Sequence, residues 1–352
     1  MNEAIRQGDR LAIVAAIIAM ILVLLAVDQV VWRPLIAWSE RFKTEETAEA
    51  ALARSWVLDV IESSRFYQAL QHWRRARRST TFAAAAIRWK ANQRLAVLFV
   101  VGRWAILIAL GGLILGGLGA LVYLSSGLPF YDPARHNDWC TVLLALGASF
   151  LRTTAAVLLG AVWTLPAGIL IGRSPHFARR MEPLIQLAAS FPAPMIYPIV
   201  AMLLAALHVP FTLGCVALML LGSQWYILFN VLAGAMAIPS DLKEVAEVYR
   251  WSGWRRWTSL YIPAVFPYLV TGLITAAGGA WNATIVSEYL QLPGTTLSAF
   301  GLGSTISRAT AAGNYSLLCA AVVTMAVFVV LLNRLFWKRL YNLAETKYSL
   351  EV

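Results

Sequence analysis

Residues 153–172 read TTAAVLLGAVWTLPAGILIG, an apolar run without a single Asp, Glu, Lys or Arg. The hydrocarbon core of a bilayer is roughly 30 Å thick, and a helix needs about 20 such residues to cross it. The run is not isolated. No charged side chain lies between Arg103 and Asp132, between Arg256 and Glu288, or between Arg308 and Arg334. Between Glu182 and Asp241 the charge-free stretch is long enough for two crossings, with Pro210 at the turn. Composition agrees: 59% of the 352 residues are hydrophobic and 13% charged, where a soluble domain carries about 25% charged. The sequence therefore predicts an all-α integral membrane protein.

Seven spans are expected, at roughly 11–32, 100–124, 141–172, 183–207, 211–238, 260–288 and 314–338. The first run, Leu11 to Val27, has no clear small-residue cleavage site and is followed by Asp28 and Trp32-Arg33. That exit pattern is an interfacial anchor, so the helix reads as retained and not as a signal peptide. Segment 33–98 holds twelve Arg and Lys against six acids, and loops 173–182 and 239–258 and the tail are also basic. Loops 125–139 and 289–313 carry little positive charge. Lys and Arg accumulate in cytoplasmic loops, which puts the N-terminus outside and the C-terminus in the cytoplasm. The net charge of +11 has its reason there and needs no nucleic acid. Cys140, Cys215 and Cys319, like His72, His136, His176 and His208, are scattered, so neither a metal nor a disulfide framework is expected.

The domain division is an N-terminal helix (1–32), a polar segment (33–98), a membrane core (99–345) and a tail (346–352). Within the polar segment, Glu45 to Arg78 reads as helical, with Trp56 and Trp73 and the Arg74-Arg75-Ala76-Arg77-Arg78 cluster. It lies on anionic lipid at the interface or meets a cytoplasmic partner. There is also an internal echo. Asp28 to Glu40 resembles Asn333 to Glu345 in its Trp, Leu and Glu and in the basic residue after Trp; membrane exits with Trp anchors also look alike for general reasons.

The chemistry is concentrated in Asp241 to Pro267, DLKEVAEVYRWSGWRRWTSLYIPAVFP. A charged helix, with Ser240 or Asp241 as its cap, interrupts the most apolar part of the chain. Arg250, Arg255 and Arg256 lie where the dipole at its far end favours cations. This segment resembles the cytoplasmic "EAA" loop of binding-protein-dependent ABC transporter permeases. Glu244-Val245-Ala246 matches the start of that pattern and Ile262-Pro263 its Leu-Pro; Ser252 and Trp254 fall where the nitrate, sulfonate and taurine branch has Ser-Arg-Trp. Arg250 occupies the motif's Gly position, and the nearest glycine is Gly253. Ser149-Phe-Leu-Arg152 with Gly160 and Gly168 to Gly172, and Gly278 to Glu288, resemble the family's second and fifth core helices. The likeness covers 100–345, nearest to the second half of duplicated anion-transport permeases, whose preceding half would end in a span like 11–32.

The resemblance implies a six-helix type I importer core plus the N-terminal helix. Two permease modules, self or a related half, form the pathway, and an extracytoplasmic binding protein delivers the solute. A separate P-loop ATPase binds ATP and Mg, since no Walker A Gly-Lys-Ser or Gly-Lys-Thr occurs here. Glu244, Ala246, Glu247, Arg250, Gly253, Trp254, Arg255, Arg256 and Pro263 would carry the ATPase contact, with 241–256 moving as one rigid lever and Gly253 setting the bend. The solute would be a small anion: nitrate, bicarbonate, a sulfonate or taurine.

Polar residues inside spans are costly in lipid and usually face a bundle interior. Arg152, Gln186, Ser190, Gln224, Asn230, Asn282 and Glu288 are the candidates for a pathway lining. Arg152 attracts an anion on entry or snorkels to the interface; Asn282, beside Gly278 and Gly279, makes an interhelical hydrogen bond or lines the path; Glu288 pairs structurally. An ion-coupled carrier would place carboxylates deep in the spans, and an embedded enzyme would cluster His, Cys or paired carboxylates; neither pattern occurs. A passive channel is separated from a permease only by the charged insert.

Overall fold

The computed structural model describes residues 10–32, 34–35, 85–130, 138–292 and 294–348. The expected interfacial helix from Glu45 to Arg78 lies outside them. The chain divides into two compact units, residues 14–119 and residues 120–352 with 1–13.

The first unit holds most of α1 (Arg10–Val27), which passes into a π-helical turn at Asp28–Trp32, and most of α2 (Ala85–Ser126). α2 begins well before the expected span at 100, so part of what reads as a polar segment is the first part of the same helix.

In the second unit, Asp138 caps α3 (Trp139–Gly172) by accepting from the Thr141 amide at 2.6 Å. α6 (Phe211–Met236) and α9 (Ile262–Ser287) pack with α3 around Ile169, Ile227, Val231, Ala235, Val265, Ala276 and Ala280, all buried. Lipid tails offer no hydrophobic drive between helices, so small residues that let backbones approach do the packing. A Cβ at Gly168 would lie 2.6 Å from Val231, and one at Gly172 would lie 2.9 Å from the Leu232 carbonyl oxygen. On the other side of α6, a Cβ at Gly272 would meet the Ile227 backbone at 3.0 Å.

Pro192, Pro194 and Pro198 predict a break in the fourth expected span, and the structure has one. α4 (Pro175–Ser190) and α5 (Ala193–Ala206) meet at an 80° bend, because Phe191 and Pro192 are extended and Pro192 and Pro194 lack the amide hydrogens a continuing helix needs. The 14 residues of α5 reach only about 21 Å, short of a full crossing. Among the described residues six helices are long and apolar enough to cross a membrane, and seven if the bent pair counts as one span.

Two rods run longer than expected. α8 (Gly253–Arg256), a π-helical turn at Trp257–Tyr261 and α9 form one continuous helix; so do α11 (Tyr315–Leu332), a π-helical turn at Asn333–Trp337 and α12 (Lys338–Tyr348). Between them lies an antiparallel hairpin, β1 (Tyr289–Leu292) and β2 (Thr295–Ser298), followed by α10 (Leu302–Ala312). The hairpin is the exception to an all-α reading. Gly313, left-handed, ends α10, and Asn314 caps α11 by accepting from the Leu317 amide.

The α3–α6 contact gives a direct test. Gly172→Leu should destabilise the protein by about 1–3 kcal/mol, because the obstruction is a backbone carbonyl that cannot rotate away. Gly278→Ala, where a Cβ meets nothing within 4 Å, should leave the melting temperature in detergent unchanged.

Candidate functional site

The charged loop is built from α7 (Ser240–Val248) and α8. Pro239 holds the cap position, so neither Ser240 nor Asp241 caps the helix as expected; the Ser240 hydroxyl instead donates to Asp241 Oδ1 at 3.2 Å. Asp241 lies in the first turn, where the helix dipole favours an anion. The helix ends at Val248, before any of the three arginines, so they do not neutralise its C-terminal dipole as the sequence suggests.

Its end is a Schellman turn. The Arg250 amide donates to the Glu247 carbonyl and the Trp251 amide to the Ala246 carbonyl, each at 2.8 Å. That pattern needs a left-handed residue after the cap, usually Gly. Arg250 takes it with φ +49°. The turn of the EAA pattern is thus present although its glycine is not. Gly253 adds a second left-handed position, φ +50°. The expected rigid helix over 241–256 is therefore corrected: α7 and α8 are separate, α8 belongs to the α9 rod, and Pro263 is the second residue of α9.

Ala246 is fully buried in one cluster with Leu260, Tyr261 and Ala264, flanked by Trp251, Trp257 and Trp337. It seats α7 on the foot of the α9 rod. The opposite side is open. Glu244, Glu247, Val248, Tyr249 and Arg250 are exposed, and Trp254 is 78% exposed. Arg255 stacks over Trp251 at 5.5 Å, and Arg256 reaches Glu247 at 3.6 Å. Arg250 has no ion partner among the described residues. Exposed aromatic and apolar groups rimmed by cations form a surface suited to a protein cleft.

Arg152 and Glu288 come together at the other end of the α9 rod. Glu288, fully buried, accepts from Arg152 Nη1 at 2.8 Å, from the Ser149 hydroxyl at 2.7 Å and from the Gly303 amide at 2.9 Å. Arg152 Nη2 donates to the Phe300 carbonyl at 2.8 Å, and the Ser149 oxygen accepts from the Leu302 amide at 2.7 Å. The carboxylate thus caps α10 and ties it to α3 and α9. A Cβ at Gly301 would strike this carboxylate and one at Gly303 the Thr284 backbone. Arg152 neither snorkels nor stands free for an anion; its charge is used inside the fold.

The other polar candidates are not gathered into one site. Gln224, buried, accepts from Trp163 Nε1 at 3.1 Å across α3 and α6. Asn230 donates to its own helix at Tyr226. Gln186 and Ser190 are exposed on α4, where Ser190 donates to the Leu187 carbonyl. Asn282 is exposed and makes no interhelical bond among the described residues. It shares an exposed stripe of α9 with Thr271, Thr275 and Gly278, and the i, i+4, i+7, i+11 spacing of the four is a sequence signal for one helix face. Ser149 carries no comparable signal, since its partner Glu288 stands 139 residues away.

Two outcomes follow. Replacing Arg152 alone by Met should cost about 3–5 kcal/mol by stranding a buried carboxylate, and the Arg152→Met/Glu288→Met double variant should recover most of it, measured as a thermal double-mutant cycle in detergent. Arg250→Gly should raise stability by about 1 kcal/mol through relief of the left-handed backbone, and Arg250→Val should lower it.

The family described as "Binding-protein-dependent transport system inner membrane component" matches residues 164–346, more than half of the chain. The bicarbonate transport system permease protein CmpB of Synechocystis sp. is 30% identical over 166 residues, 46% of this chain and 56% of its own length. The chain thus spans little over half of that relative. The nitrate import permease protein NrtB of Leptolyngbya laminosa is 28% identical over 59% of this chain and 70% of its own. A putative aliphatic sulfonates transport permease protein, SsuC of Bacillus subtilis, is 26% identical over 56% of this chain and 71% of its own. A solved structure of the MetNI methionine ABC transporter in an inward-facing conformation aligns with 16% identity and a TM-score of 0.49, over 58% of this chain and 97% of that one. The matched region holds the foot of α3, the charged loop and the α9 rod, and the chain belongs to the family of binding-protein-dependent transport system inner membrane components.

Proposed function

We propose that this chain is the membrane-spanning permease subunit of an ATP-driven importer, coupled to a separate ATPase through residues 239–258. One observation carries the reading: a glycine-type Schellman turn, closed at Arg250, that leaves Val248, Tyr249 and Trp254 open beside Glu244 and the arginines. A polar helix interrupting a membrane core has little reason to expose aromatic groups unless a partner covers them.

Coupling runs through contact and not through one stiff helix. The ATPase moves α7; Ala246 presses on Leu260, Tyr261 and Ala264; the α9 rod tilts against α6. Glu244 and Glu247 meet the partner on one side of α7, while Arg250, Arg255, Arg256 and Trp254 meet it beyond the turn. ATP and Mg are held by that partner. The loop faces the cytoplasm, with the N-terminus outside and the C-terminus inside, and a binding protein delivers solute at the opposite face.

The pathway forms against a second permease module. The stripe Thr271, Thr275, Gly278 and Asn282 supports this, because exposed polar groups in a span require protein or water beside them. The solute class, a small anion such as bicarbonate, nitrate or a sulfonate, rests on what the relatives are named for. Arg152 lends it no support.

The test is a mild-detergent pull-down of the tagged chain with mass spectrometry of what co-purifies. A P-loop ATPase should be recovered with the intact chain and lost, by tenfold or more, with Glu244→Lys. An intact chain recovered alone or only with itself would overturn the importer reading. Recovery unchanged by Glu244→Lys would overturn the docking role of α7.

A further inference from the structure

The α11–α12 rod carries three cations at a depth where lipid disfavours them. Its Phe328 ring meets Trp281 of α9 at 5.6 Å, and its Tyr348 ring meets Phe266 at 4.9 Å. Arg334, Lys338 and Arg339 lie between these two contacts, alongside the charge-free run of α9. All three are exposed, and none has an ion partner among the described residues. Leu331, Leu335 and Phe336 around them are exposed as well. A cation facing lipid is costly until its head reaches an anion or the interface.

The same stretch of the rod walls a cavity of about 340 Å³ against α3 and α9. Leu332, Phe336, Trp337 and Leu340 form one side of it, and Leu158 and Ala277 stand on the other. An unbroken α-helix would turn Trp337 about 140° away from Leu332. The π turn, closed by the Lys338 amide on the Asn333 carbonyl, brings both to the cavity. Phe150 and Trp281 line it too, and the Phe328 ring packs edge-on against both. Leu158 and Phe336 are more than half exposed, so the cavity opens sideways between α3 and the rod.

Its size decides what fits. One turn of a helix with its side chains, about 5.4 Å long and 10 Å across, fills about 420 Å³. The cavity is smaller than that and takes a flexible chain, not a helix. Its apolar wall offers a small anionic solute nothing. We propose that the cavity is a lipid site: one acyl chain of an anionic phospholipid enters between α3 and the rod, and Arg334, Lys338 and Arg339 hold its phosphate at the rim. Basic pockets between transmembrane helices take anionic headgroups in this way. A single ligand then accounts for the empty apolar space and for the unpaired cations beside it.

Native mass spectrometry of the full chain in detergent tests the site, with phosphatidylglycerol or phosphatidylethanolamine of identical acyl chains added back. The wild-type chain should hold one phosphatidylglycerol, at least tenfold more tightly than phosphatidylethanolamine. Leu158→Trp, at the mouth, should weaken that binding at least tenfold. Leu159→Trp, also at an exposed position but outside the cavity lining, should not. Arg334→Gln/Lys338→Gln/Arg339→Gln should keep a lipid and bind the two headgroups equally. No retained phosphatidylglycerol, binding indifferent to Leu158→Trp, or equal loss in Leu159→Trp overturns the site. A headgroup preference that survives the triple variant overturns the role of the cations. Release of a second copy of the chain by Leu158→Trp, with the lipid count unchanged, gives the cavity to a protein neighbour and overturns the proposal. These readouts are independent of whether an ATPase binds at α7.

Discussion

A carboxylate removed from water must be compensated on every side, and Glu288 is the point where the membrane core meets that demand. Arg152 and Ser149 reach it from α3, and the Gly303 amide reaches it from the start of α10. One side chain at the end of α9 positions three elements, one of which, α3, reaches it from 136 residues away in sequence. Glycine at 301 and 303 is required because the chain passes directly over that carboxylate and over the Thr284 backbone. The hairpin between α9 and α10 hangs from the same knot, since the Ala299 amide donates to the Glu288 carbonyl. Replacing the ion pair with apolar groups need not weaken such a site; removing half of it does.

The rest of the core follows the membrane's own logic. With lipid as solvent, helices associate by fit, and the α3–α6–α9 packing is set by glycines at 168, 172, 234 and 272 facing Val231, Leu232, Tyr268 and Ile227. The charged loop obeys water's logic instead. One buried alanine anchors it, Trp251 and Trp257 pack partly against the same cluster, and Glu244, Glu247, Val248, Tyr249, Arg250 and Trp254 face out.

What the sequence made legible was whatever depends on length and charge. Runs without Asp, Glu, Lys or Arg located the spans, although the helices that carry them run on into charged sequence, by ten residues beyond 338 and by fifteen before 100; the family likeness at 241–267 located the loop. What it hid depends on direction. Pro192 and Pro194 announced a break but not an 80° bend. Arg152 read as a free cation because its partner stands 136 residues away and the spacing carries no periodic signal. Arg250 read as a departure from a glycine, whereas the backbone hydrogen bonds at Ala246 and Glu247 impose the left-handed turn whatever side chain stands there. The small hairpin was invisible because four-residue strands carry almost no pattern.

The helix from Gly253 to Ser287 has 35 residues, about 52 Å at 1.5 Å per residue. One end abuts the Glu288 knot and the other carries the loop. A beam held at one end magnifies small rotations: a tilt of ~10° about Glu288 carries Gly253 through about 9 Å and Gly272, about 24 Å from the pivot, through about 4 Å. Motion at the loop and stillness at the knot are therefore compatible within a single stiff element, provided the glycine-lined middle slides and does not bend.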